Sequence, residues 1–152
     1  MISERYDWVM VQVEEVGKAV RQIAIALLDA DEEQLVKLDE QTDGQLEDSF
    51  EHSRMALVDA RTAALILRPP PRIRAYAQLL AEKSRLLHEI GREQEGHSLA
   101  RRALELQLEA ADLEPDPEQV DHAAIEALLD RDPPIRLGER QQALLAALDG
   151  TR

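Results

Sequence analysis

Residues 73–113, IRAYAQLLAEKSRLLHEIGREQEGHSLARRALELQLEAADL, decide the fold. Two helical patterns meet at Gly91. In the first, residues 72–90, Ile73, Tyr76, Leu80 and Leu87 form one apolar row, while Leu79, Leu86 and Ile90 form another. A helix apolar on two faces lies between neighbours rather than on the surface. In the second, residues 94–113, Leu99, Ala103, Leu106, Ala110 and Leu113 repeat the theme, and the alanines allow close helix approach. The expected unit is an antiparallel helical hairpin that cannot bury both of its apolar faces alone. Other helices of the chain, or a second subunit, must cover it.

On the N-terminal side, Ser3 is suited to cap a helix over residues 3–28, with Glu4 and Asp7 at the positive end of its dipole. Val9, Val13, Val16, Val20, Ile23 and Leu27 alternate spacings of four and three, which lines one face of a helix. Tyr6, Trp8 and Met10 add apolar surface beyond that stripe and make a candidate contact patch. DADEE at residues 29–33 breaks the pattern. A short second helix is expected over residues 32–42, anchored by Leu35 and Leu38 and stopped by Asp43 and Gly44. A third, over residues 45–67, places Leu46, Phe50, Leu57, Ala60, Ala64 and Leu67 mostly on one face. Pro69, Pro70 and Pro71 end it as a stiff corner, because proline lacks the N–H and disfavours helical angles in the residue before it.

On the C-terminal side, Pro115 and Pro117 close the hairpin, and a sixth helix over residues 118–130 carries Val120, Ile125, Leu128 and Leu129. Pro133 and Pro134 make another break. The last helix, residues 139–148, has Leu144, Leu145 and Leu148, stops at Gly150, and leaves Thr151 and Arg152 frayed. The expected fold is all-α, an antiparallel array of about seven helices in a single domain over residues 1–152. Residues 1–68 hold the N-terminal helices, 72–114 the central hairpin and 118–150 the C-terminal helices.

Composition agrees. With 44% apolar but only 3% aromatic residues, the core must be Leu, Ala, Val and Ile, side chains suited to helices. The net charge of −13 repels phosphate backbones and argues against nucleic-acid binding. Arg68, Arg72 and Arg74 gather around the prolines, and Arg101 and Arg102 are adjacent; solvated arginines paired with nearby carboxylates are the ordinary reading, and an acidic-segment site at the corner is the alternative. The absence of cysteine excludes disulfides, thiolate metal sites and cysteine nucleophiles. The opening MISERYDW places charges where a signal peptide needs its apolar segment, and the longest apolar run, residues 23–28, is too short for a bilayer. A cytoplasmic location with no membrane contact is the expectation.

The residues AQLLAEKSRLLHEIGREQEGHSLARRALELQ, 77–107, resemble a tetratricopeptide-type repeat, a 34-residue helix-turn-helix unit. Leu80 and Leu87 stand where that repeat has large residues, Ser84 takes the small position between them, and Gly91 is the turn. Gly96, Ala100 and Ala103 supply the small residues of the second helix, and Ala103-Leu104-Glu105-Leu106 follows the usual ending. Lys83 replaces a leucine, and the helix runs past the position of the closing proline. The end of the third helix, ALILRP at residues 64–69, matches a repeat ending without a complete unit before it. The opening RYDWVMVQVEEVGKAV resembles, more loosely, the start of a family of small uncharacterised bacterial helical proteins with tetratricopeptide-like C-terminal parts. That family implies the fold and no known activity.

Catalytic and metal chemistries find little support. Glu93 and His97 are four residues apart, as are Glu118 and His122, where a helical carboxylate-bridged metal site uses a spacing of three. A calcium-loop likeness at Asp39, Asp43 and Gly44 fails at Gln41 and Phe50, where ligands are needed. There is no phosphate loop and no nucleophile elbow, and no metal or cofactor is expected. The resulting expectation is a non-catalytic protein-interaction or oligomerisation module, binding a protein partner or a second copy as a homodimer. Its candidate contact residues are Tyr6, Trp8 and Met10, Tyr76 beside the groove of the fourth helix, and Arg68, Arg72 and Arg74. The alternative is a small helical enzyme or ligand-binding protein using His88, Glu89, Glu93 and His97 near the Gly91 turn.

Overall fold

A computed structural model describes residues 2–150, with side chains from residue 5 onward. Its elements are α1 (Ile2–Asp29), α2 (Glu32–Phe50), α3 (His52–Met55), α4 (Ala60–Leu67), α5 (Pro70–Glu89), α6 (Glu93–Leu113), α7 (His122–Leu129) and α8 (Glu139–Gly150), with a 3-10 turn at Pro117–Gln119. No strand occurs among the described residues, and the all-α expectation holds. The expected Ser3 cap and the fraying of Thr151 and Arg152 lie outside the described side chains and residues.

The hairpin forms between α5 and α6. Gly91 adopts φ 84°, its N–H donates to the His88 carbonyl at 3.1 Å, and the Arg92 N–H reaches back to the Leu87 carbonyl at 2.8 Å. This pair of bonds closes the end of α5, and only glycine takes that left-handed angle at no steric cost. The helices then run against each other at small side chains. Ser84 Oγ donates to the Gly96 carbonyl at 2.6 Å, and a Cβ on Gly96 would lie 2.9 Å from the Ser84 backbone oxygen. Ala100 and Ala103 are buried along the same seam.

The rest of the chain covers the hairpin without a second subunit. Helices α1 and α2 pack on α5, while α4, α7 and α8 pack on α6. From α1, Val9, Val16 and Ile23 are buried, with Val13, Val20 and Leu27 at the edge of the core, as the four-three spacing requires. Tyr76 and Phe50 sit at the centre with ring centroids 5.1 Å apart.

Four segment boundaries differ from expectation. Gly44 is not a stop: α2 runs through it to Phe50, because Leu35, Asp39, Thr42, Leu46 and Phe50 form one continuous buried stripe. A glycine inside a helix costs only about 1 kcal/mol, which that burial offsets. The helix expected over residues 45–67 is instead broken into three pieces, which raises the count to eight. Glu51 takes the left-handed angle φ 50°, and Asp59 starts α4 by accepting from the Thr62 N–H at 2.7 Å, a bond that holds its carboxyl below the usual range. Leu57, expected in the core, lies in the intervening bend and is 85% exposed. Residues 118–130 likewise divide, with Asp121 capping α7 by accepting from the Ala124 N–H at 3.0 Å. In the other direction, α5 begins at Pro70, within the corner, since proline suits the first helical turn.

Buried polar groups fasten the outer helices. Lys83, which stands where the repeat resemblance has a leucine, donates to Asp39 at 2.5 Å and Asp43 at 2.8 Å, tying α5 to α2. Lys83 and Asp39 are both buried, whereas Asp43 is exposed. Glu109 of α6, also buried, accepts both Arg140 N–H groups at 2.8 and 2.7 Å and the Gln141 amide at 2.7 Å, which fastens α8. Arg102 donates to the Met55 and Val58 carbonyls, holding the bend before α4.

Two variants test this arrangement by chemical denaturation. Gly96→Ala is expected to lose about 1–3 kcal/mol, because the group it strikes is backbone and cannot rotate away. An unchanged midpoint would show that the helices are not held at that distance. Lys83→Ala is expected to lose about 3 kcal/mol, because the buried Asp39 carboxylate then keeps only its longer contact to Arg92 at 3.6 Å, and the double variant Lys83→Met, Asp39→Leu to recover most of it.

Candidate functional site

The contact patch on α1 and the arginine corner, read separately from sequence, meet at Trp8 and Arg72. Trp8 is 51% exposed, Tyr6 57% and Val11 52%, on the first turns of α1 around the buried Val9. Met10 is half-buried. The Arg72 guanidinium stacks over the Trp8 ring with its carbon 5.1 Å from the centroid, and stands 5.6 Å from that of Phe50. Its Nε donates to Gln12 Oε1 at 2.9 Å and an Nη to the Ser49 carbonyl at 3.1 Å. Gln12 in turn donates to the same carbonyl at 2.9 Å. Helices α1, α2 and α5 therefore fix the guanidinium in place. Burial, with nearby Arg5 adding to it, pushes the Arg72 pKa down from the ordinary arginine value.

The other candidates separate from this patch. Arg68 is exposed and donates to the Leu65 carbonyl at 2.8 Å. Arg74 is spent on an internal pair with Glu114 at 2.7 Å, whose carboxylate is 8% exposed. Tyr76 is a correction: it is fully buried and belongs to the core, because α1 and α2 cover the face of α5 on which a groove was expected.

At the other end of the hairpin, His88, Glu93 and His97 do come together, along one cleft of about 460 Å³ that Arg131 and Asp132 close from the segment after α7. Glu89, grouped with them by sequence, lines a separate recess of about 250 Å³ beside Arg85. Among the described residues, no three His, Asp or Glu side chains are placed to hold a metal ion. Arg131 was not legible in sequence: flanked by Asp130 and Asp132, it reads as locally paired. The fold turns it inward instead, to donate to Ser84 Oγ at 3.2 Å and the Ala81 carbonyl at 3.3 Å on α5.

No family model, curated protein or solved structure matches the chain. No helix among the described residues is long and apolar enough to cross a membrane. The site is therefore read from its own geometry.

One further titratable pair lies below the patch. His52 Nδ1 is 2.5 Å from the Tyr76 hydroxyl. Burial pushes the His52 pKa below the ordinary histidine value, outweighing the pull of Asp43 and Glu47 in the other direction, and burial pushes that of Tyr76 up. Both shifts favour a neutral imidazole accepting the tyrosine proton. A histidine with a lowered folded-state pKa contributes stability that is fully present above its unfolded value of about 6.5, and is lost as the pH falls through that value. Urea midpoints measured at about pH 7.5 and about 5.5 should fall more for the wild type than for His52→Asn, which keeps an uncharged acceptor. Equal falls would remove His52 from the acid sensitivity.

Proposed function

We propose that this chain is a non-catalytic protein-interaction module whose docking surface is the Trp8 and Val11 side of α1 together with Arg72. The observation that supports it is the clamped stack: a half-exposed tryptophan overlaid by a guanidinium fixed through Gln12 and Ser49. Tryptophan, tyrosine and arginine dominate binding energy at protein interfaces, and side chains already held in place lose little entropy when a partner arrives. Kinship of the central hairpin with tetratricopeptide-type repeats is part of the same reading, and is supported by the small residues Ser84, Gly96 and Ala100 at the helix seam.

The partner we propose is a different protein rather than a second copy. Arg5, near Arg72, joins it in bringing positive charge to this end of an otherwise acidic chain. Two copies meeting patch to patch would set these arginines against their own counterparts, whereas an acidic, apolar segment would complement them.

Trp8 is the single tryptophan, so its emission reports this surface alone. A partner recovered from the native host should shift that emission on titration. It should bind Trp8→Ala and Val11→Glu at least about tenfold more weakly, with both variants as stable as the wild type. Light scattering should show a monomer. A dimer dissociated by Trp8→Ala would move the reading to self-association, and a partner insensitive to both substitutions would remove the surface from consideration.

A further inference from the structure

We propose that the cleft beside the Gly91 turn is a binding site for a small carboxylate-bearing ligand, held by the guanidinium of Arg131. This site shares no residue with the α1 patch and does not depend on it.

Arg131 is half-buried in a chain with 31 acidic and 18 basic residues, yet no carboxylate of the described residues lies within ion-pair distance of it. The other half-buried arginines are accounted for. Arg74 is paired with Glu114, Arg72 lies against two aromatic rings, and Arg102 donates to two carbonyls at the end of α3. Arg131 has only a hydroxyl and one carbonyl, at the long end of the hydrogen-bond range. A guanidinium carries five N–H donors, so most of its capacity is unspent. The charges that act on it do not neutralise it: Arg85 opposes it, and Glu82, which favours it, is already paired with Arg85 at 3.0 Å. A desolvated guanidinium without a counter-charge is an unfavourable state that a bound carboxylate would relieve, through two parallel N–H···O bonds.

The surroundings fit such a ligand. Arg131 lines the 460 Å³ cleft and also two adjoining recesses, of about 250 and 470 Å³. The 460 Å³ cleft is the size of ordinary small-molecule sites. His88 from α5 and His97 from α6 face it and add N–H groups from two elements. The rim acids Glu93 and Asp132, both exposed, oppose a multiply charged anion. They select a single carboxylate over a phosphate dianion, and would favour one whose body carries a donor or a positive group.

Amide and arginine Nε resonances of the isotope-labelled protein, titrated with sodium acetate and separately with inorganic phosphate at constant ionic strength, test the assignment. Acetate is expected to give saturable shifts confined to the turn, the start of α6 and Arg131, with a midpoint on the order of 10 mM. Arg131→Gln should abolish them. Arg131→Lys, which keeps the charge and guards against misfolding of the glutamine variant, should weaken binding several-fold, because an ammonium lacks the fork. His97→Gln should weaken it as well, and Arg54→Gln, at an exposed position of α3, should leave it unchanged. Shifts that do not saturate, that persist in both Arg131 variants, or that phosphate produces at equal or lower concentration would overturn the proposal.

Discussion

The close approach of α5 and α6 is the constraint on which the rest depends. At Ser84 and Gly96 there is no room for one additional carbon, and the hydroxyl-to-carbonyl bond between them fixes the register of the two helices. Leu79, Leu80, Leu86 and Leu87 on α5, and Leu104, Leu106 and Leu108 on α6, are all buried, and α1 and α2 pack on the first helix while α4, α7 and α8 pack on the second. The remaining helices form two layers because the hairpin presents two apolar sides. That division places α1 and α2 over α5, and α4, α7 and α8 over α6.

Within those layers, burial of apolar surface supplies the attraction, and buried polar groups select the arrangement. A leucine-and-alanine core has few shapes that distinguish one register from the next. The pairing of Lys83 with Asp39 and of Glu109 with Arg140 and Gln141 is satisfied only when α2 and α8 sit at one height along the hairpin. Such pairs add little net stability over apolar replacements, but a shifted helix would strand a charge. Arg72 acts in the same way at the junction of α1, α2 and α5, with the added result that it organises an exposed tryptophan.

The central hairpin was legible because its signals are local: apolar rows, a glycine at the turn and small residues at the seam. The breaks between residues 45 and 67 were not. Glu51 adopts a left-handed angle that nothing in its type suggests, and the buried stripe through Gly44 outweighs the local stop signal. Tyr76 was misplaced because a tyrosine on an apolar row is equally suited to a groove or a core, and only the position of α1 decides between them. The joining of Trp8 to Arg72, 64 residues away in sequence, and the inward turn of Arg131 are products of tertiary structure alone. Both involve arginines, whose long side chains reach partners that sequence neighbourhood does not reveal.

The fastening of α8 has a consequence for how the molecule opens. Its only fully buried side chain is the polar Gln141; Leu144, Leu145 and Leu148 are partly covered, and the ionic contacts to Glu109 are reached by solvent through Arg140. Opening free energies across a fold scale with the apolar contact that each unit must surrender. Helix α8 therefore gives up little apolar contact when it opens, and its amide protons are expected to exchange ahead of those of α5 and α6.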